Sequence, residues 1–170
     1  LQTLTYSVVS NTNSGLATPS IDASTGVLTV SYTSDDNGSA TITVRADDSN
    51  GDTLDESFTV TVTAVNDTVT RTSAIDDYSV DEDATATTVV DLDDVFDDID
   101  LTNGDPSALQ TLTYSVVSNT NSGLATPSID GNGVLTVSYT SEDNGSATIT
   151  VQAITGNGST LNESFTVSVT

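Results

Sequence analysis

The feature that most constrains this chain is that it repeats itself. Leu1 to Asp22 (LQTLTYSVVSNTNSGLATPSID) returns letter for letter as Leu109 to Asp130. One residue is then lost. VLTVSYTSDDNGSATITV from Val27 returns as VLTVSYTSEDNGSATITV from Val134, and DESFTVTVT from Asp55 as NESFTVSVT from Asn162. A period of 107–108 residues is the length of one all-β domain and far longer than a solenoid unit. Near-identity points to recent duplication within a longer array, not to two domains with separate tasks.

Each copy reads as strands. Leu4, Tyr6 and Val8 alternate with Thr5 and Ser7; Leu28, Val30 and Tyr32 with Thr29 and Ser31; Phe58, Val60 and Val62 with Thr59 and Thr61. Period-two patterning places large apolar groups on one face and hydroxyls on the other, the signature of an antiparallel sheet packed on one side. Thr25-Gly26, Asn37-Gly38, Asn50-Gly51, Asn132-Gly133, Asn144-Gly145 and Asn157-Gly158 punctuate the runs as turns. No window of helical length carries a 3.6-residue period. The expected fold is all-β: tandem Greek-key sandwiches of immunoglobulin or cadherin type, about seven strands per complete repeat. Tyr6, Tyr32, Tyr114 and Tyr139 read as core or sheet-face residues.

Residues 72–170 are expected to form a complete repeat, with its first strands near Tyr78–Val80 and Thr88–Leu92. Residues 65–71 read as a linker. Residues 1–64 form a partial repeat, lacking the counterpart of Arg71–Ala108 and therefore its first two strands. Two explanations stand side by side: the chain is a segment of a longer polypeptide, or another copy donates the missing strands as in donor-strand filaments.

Composition excludes much chemistry. The chain has no Lys, His, Cys, Met or Trp, so there is no Ser-His or Cys-His nucleophile pair, zinc or iron–sulfur site, disulfide or P-loop lysine. Only Arg45 and Arg71 oppose 25 acids, for a net charge of −23. That argues against nucleic-acid partners and against an anionic membrane surface. No stretch is apolar enough to insert into a membrane, and no signal peptide is present, so an export signal would lie elsewhere. A glycosidase would need an aromatic-lined cleft beside its carboxylates, and five Tyr and three Phe in core register do not supply one. The sequons at Asn37, Asn66, Asn144, Asn157 and Asn162 read as turn and linker chemistry. No enzyme is expected.

The acids are unevenly placed. Twelve of the 25 lie between Arg71 and Ala108, where mutual repulsion costs free energy. A hard divalent cation taking six to eight oxygens removes that cost, and the D-x-D spacings Asp91/Asp93 and Asp98/Asp100 suit it. The other reading of the run is a solvated acidic face.

Several segments together resemble a bacterial cadherin-like repeat of large secreted surface adhesins. Val80-Asp81-Glu82-Asp83 resembles the acidic V-x-E segment near the start of such a repeat. Val95-Phe96-Asp97-Asp98-Ile99-Asp100 with Leu112-Thr113-Tyr114-Ser115 resembles its D-x-D and L-x-Y-S run. Ser128-Ile129-Asp130 with Gly133-Val134-Leu135 resembles its I-D…T-G-x-L turn, Thr41–Asp48 its strand ending in A-x-D, and Val62–Asp67 its closing strand and V-N-D linker.

The resemblance implies Ca2+ at the junction between consecutive repeats. Its ligands would be Asn66 and Asp67 of the linker with Asp98 and Asp100, joined by Asp35 or Asp36. Glu82 and Asp48 would serve neighbouring junctions. The chain departs from the family pattern where Asp47 and Asp48 become Ile154 and Thr155.

The implied function is a calcium-stiffened structural extender in a bacterial cell-surface adhesin or extracellular filament. Its partners would be neighbouring repeats, and identical copies in the filament case. The alternatives are a glycan- or self-recognising binding module, and a filament subunit completed by donated strands.

Overall fold

The computed structural model describes residues 3–22, 24–102 and 111–170; Asp105 of the acidic run lies outside them. The chain divides into two compact units, Leu1–Val65 and Asn66–Thr170.

The first unit consists of β1 (Thr5–Asn11), β2 (Ala17–Ile21), β3 (Leu28–Tyr32), β4 (Gly38–Asp47) and β5 (Thr53–Val62). They form a three-stranded sheet β1-β4-β5 and a pair β2-β3. The β4–β5 hairpin is in register from Gly38↔Val62 to Asp47↔Thr53. Along its outer face cross-strand pairs alternate with apolar positions: Thr41–Thr59 at 3.2 Å, Thr43–Ser57 at 2.8 Å and Arg45–Asp55 at 2.6 Å. This is the period-two pattern realised as side-chain ladders.

The second unit contains β6 (Thr70–Arg71), β7 (Tyr78–Val80), β8 (Ala86–Asp91), a 3-10 turn at Leu92–Asp94, β9 (Phe96–Asp97) and a single helical turn α1 (Ile99–Thr102). Then follow β10 (Thr113–Asn119), β11 (Ala125–Ile129), β12 (Val134–Tyr139), β13 (Gly145–Ile154) and β14 (Thr160–Val169). One sheet runs β10-β13-β14-β7 and the other β11-β12-β8, with β6 and β9 as a separate two-stranded ribbon. Strand β7 joins β14 in parallel, Val167 opposite Tyr78. Strand β8 joins β12 antiparallel.

Strand β8 ends one residue earlier than the sequence suggests. Leu92 leaves the strand and enters the 3-10 turn, because the Asp91 carboxylate accepts the Asp93 N–H at 3.1 Å and caps it. Leu92 and Val95 are thereby fully buried with Phe96, Leu135, Ile149 and Phe165. Tyr78 stacks on Phe165, ring centroids 6.1 Å apart, and its hydroxyl meets that of Tyr139 at 2.9 Å, joining β7 to β12 across the sandwich. Burial, reinforced by this bond, pushes the Tyr78 hydroxyl pKa up.

Strands β10 to β14 repeat the pairing of β1 to β5 residue for residue. Both copies also carry the same bulge, which steps over Val9 in one and Val117 in the other and turns them to solvent. The difference is what covers the strands. Among the described residues of the first unit no strand pairs with the free edge of β5 or of β3. Phe58, Val60 and Leu28 are consequently only half-buried, whereas their counterparts Phe165, Val167 and Leu135 are buried. Tyr32 is exposed where Tyr139 is half-buried.

Candidate metal site

The site is made by the smallest element of the second unit. The β6–β9 ribbon pairs Thr70 with Asp97 and Arg71 with Phe96. Hydroxyls of Thr72 and Ser73 donate to the Asp94 carbonyl at 2.7 and 3.0 Å and hold the ribbon in place. Val69, 5% exposed, anchors the segment in the core, so the stretch read as linker is tied into this unit from Asp67 onward. The D-x-D segment that follows β9 is thereby brought beside Asn66 and Asp67, about 30 residues earlier in sequence.

Both carboxylates of that segment point inward. Asp98 is fully buried and Asp100 is 5% exposed, while the intervening Ile99 is 40% exposed. The Asp98 N–H donates to Asp97 Oδ1 at 2.8 Å, and the Asp100 N–H to Asp98 Oδ1 at 3.1 Å. The Leu101 N–H then donates to the Asp98 carbonyl, opening α1. Asp100 Oδ2 accepts the N–H of Asp67 at 2.8 Å, and the Asn66 side-chain amide donates to the Asp67 carbonyl. The second oxygen of Asp98 is buried and, among the described residues, has no hydrogen-bond partner.

Burying an unpartnered carboxylate oxygen is costly, and the effective penalty for an ion is several kcal/mol. Neither arginine relieves it: Arg71 is engaged by Glu163 at 2.6 Å and Arg45 by Asp55. A buried oxygen with a lone pair to spare, in an all-oxygen donor set, fits a hard cation such as Ca2+. Two carboxylates supply only part of the usual shell, and among the described residues no three acidic groups converge.

The remaining candidates are each described within their own unit. Glu82 is exposed at the opposite end of the second unit, where its N–H donates to the Thr170 carbonyl at 3.0 Å. Asp35, with φ of +62°, and Asp36 lie in the turn between β3 and β4, at the end of the first unit where β5 finishes. Asp48 sits at the other end of that unit, in the β4–β5 loop, accepting the N–H groups of Asn50 and Asp52 at 2.9 and 3.2 Å. Its counterpart Thr155 performs the same loop closure, its hydroxyl accepting the Ser159 N–H at 3.0 Å. A turn function therefore accounts for both residues at this position. The pair Asp91/Asp93 is likewise used locally, Asp91 as the cap and Asp93 as acceptor of the Tyr114 hydroxyl at 2.6 Å. What the spacing could not show is which of the two D-x-D pairs is buried. The short ribbon decides that, and two-residue strands leave no periodic signal.

No protein-family model and no curated protein sequence matches the chain. Solved structures do. The chain is similar to human CDH23 repeats EC21–23 at 15% identity and TM-score 0.62, covering 98% of this chain and 58% of that one. It is similar to Drosophila N-cadherin EC1–4 at 18% identity and TM-score 0.56, covering 99% and 41%. It is also similar to the human desmocollin-1 ectodomain at 15% identity and TM-score 0.52, covering 98% and 34%. The chain thus spans from a third to under two thirds of these three ectodomain chains. The fold is that of tandem cadherin-like β-sandwiches.

Proposed function

We propose that this chain is a segment of a structural extender, an adhesion-type repeat array outside the cell, in which Ca2+ stiffens the passage from one repeat to the next. The single observation that carries the reading is the buried, partnerless Oδ2 of Asp98, held beside the Asn66–Asp67 segment by the hydrogen bond from Asp67 to Asp100. Asp98 and Asp100 would be the carboxylate ligands, with Asn66 and Asp67 contributing from the start of the repeat.

Calcium, when bound, supplies positive charge against the acidic run. The chain's own part is to pre-orient oxygens: Asp97 and Asp98 accept backbone N–H groups so that both D-x-D carboxylates face inward, and Asp100 holds the incoming backbone at Asp67. Millimolar external calcium matches the affinities of about 10⁻⁴–10⁻³ M usual for extracellular modules. The cadherin-like fold and the resemblance to bacterial adhesin repeats support this setting. The test is small-angle scattering of a multi-repeat fragment in 5 mM calcium and in chelator. Calcium is expected to lengthen the particle and narrow its distance distribution in the wild type and not in Asp98→Asn. Superimposable wild-type curves would overturn the reading.

A further inference from the structure

Composition leaves few side chains here that an oxidant can attack. Cys and Met, the sulfur groups that normally take the first oxidation, are absent, and so are Trp and His. Oxidising equivalents therefore fall on the five tyrosines. The same gaps remove the usual covalent staples. Without Cys no disulfide can close the sandwich, and without Lys no Lys–Asn isopeptide bond can form.

Two of the tyrosines are hydrogen-bonded to each other. The hydroxyls of Tyr78 and Tyr139 lie 2.9 Å apart although the residues are 61 positions apart in sequence. The Tyr114 hydroxyl, by contrast, is turned to Asp93 at 2.6 Å. A cavity of about 390 Å³, lined in part by Ile75, Tyr78, Val80, Thr88 and Val90, opens beside the pair and gives solvent a route to it. Strand β7, which carries Tyr78, meets β14 over three residues only, whereas every other strand of these two sheets has at least five. The hydrogen bond satisfies two half-buried hydroxyls. The same contact sets two oxidisable rings within reach of each other.

We propose that Tyr78 and Tyr139 form a site of oxidative cross-linking, where a one-electron oxidant converts the hydrogen-bonded pair into a stabilising dityrosine staple between β7 and β12. Two equivalents of oxidant are consumed. Each phenol loses one electron to the oxidant and its hydroxyl proton to water. The two phenoxyl radicals join by a new carbon–carbon bond between ring positions ortho to the hydroxyls. The hydrogens on those carbons then move to the oxygens and restore both phenols. Each ortho carbon is only two bonds from its hydroxyl oxygen, so a tilt of the rings brings the carbons together with little movement of either strand. The staple fixes the strand with the shortest ladder and ties the two sheets together covalently. It does not rest on the calcium reading.

The test uses the full chain, dilute and in chelator, oxidised by photogenerated tris(bipyridine)ruthenium(III) with persulfate as the terminal electron acceptor. Monomer is separated from linked dimers under denaturing conditions, digested and mapped by mass spectrometry. The expected product joins the peptides carrying Tyr78 and Tyr139, lighter by two hydrogens, and gives the monomer fraction dityrosine fluorescence. Tyr78→Phe and Tyr139→Phe keep the rings, and each is expected to remove nearly all of that signal, while Tyr32→Phe leaves it unchanged. Circular dichroism checks the fold of each variant, and the wild-type map stands without them. The stapled monomer is expected to melt roughly 10 °C or more above the unoxidised chain, because the closed loop restricts the unfolded state. A monomer fraction free of dityrosine, a link between other tyrosines, a signal that survives both variants, or a stapled monomer that melts no higher would each overturn the proposal.

Discussion

Replacing Asp98 by Asn keeps the side-chain shape and the acceptor for the Asp100 N–H but removes a buried charge. Its effect should reverse sign with calcium. In chelator the wild type bears an unpartnered carboxylate oxygen, and Asn substitutes a neutral amide whose unsatisfied donor costs about 1–3 kcal/mol instead of the several of an ion. The variant should therefore be more stable than the wild type by about 1–2 kcal/mol. In 10 mM calcium the wild type gains RT ln(1 + [L]/Kd), which for Kd of about 0.1–1 mM is about 1.4–2.7 kcal/mol, while the variant gains little. At roughly 4–8 °C per kcal/mol for a unit of this size, the wild-type transition should rise by about 6–20 °C on adding calcium and the variant's by a few degrees at most. Differential scanning calorimetry with and without chelator measures all four values. Equal calcium shifts in the two proteins, or a variant less stable than wild type in chelator, would refute the reasoning that an uncompensated charge sits at Asp98.

Three further outcomes follow from the packing and the charges. Phe165→Ala should destabilise the second unit by about 3–5 kcal/mol, and Phe58→Ala the first by much less, because Phe165 is buried and its repeat counterpart is half-exposed; hydrogen exchange resolves the two units. Arg71→Ala should cost about 2–3 kcal/mol in chemical denaturation because it strands the buried Glu163, whereas Arg45→Ala, removing a solvent-exposed pair, should leave the midpoint nearly unchanged. The Asp22 carboxyl, held down to about 2 by hydrogen bonds from the Ser24 side chain and the Ser24 and Thr25 N–H groups, contributes stability that is present above its unfolded pKa near 4 and lost as pH falls through about 2. Carbon-detected NMR titration should place its midpoint there, and Asp22→Asn should remove that part of the acid sensitivity.

The fold was largely legible because strand patterning is local. The alternation in Phe58–Val62, the Asn-Gly turns and the hydroxyl ladder each constrain only neighbours, and they recur as β5 and β14 in the same register. The doubled valines Val8-Val9 and Val116-Val117, where alternation fails, mark the bulges. The metal candidates were legible only as residue types. Asp98/Asp100 and Asp91/Asp93 have the same spacing, and Asp91 and Asp93 prove to be a cap and a tyrosine acceptor.

By itself, then, the sequence determined a repeated β-sandwich unit and a surplus of carboxylates that two arginines cannot offset. Only the tertiary structure decided which carboxylate is buried beside Asp67 and which apolar faces are covered. The reason is that burial belongs to whatever lies across the sandwich. The same SFTV segment is sealed in the second unit, where β7 flanks it in its own sheet and β8 extends the other sheet, and is half-exposed in the first.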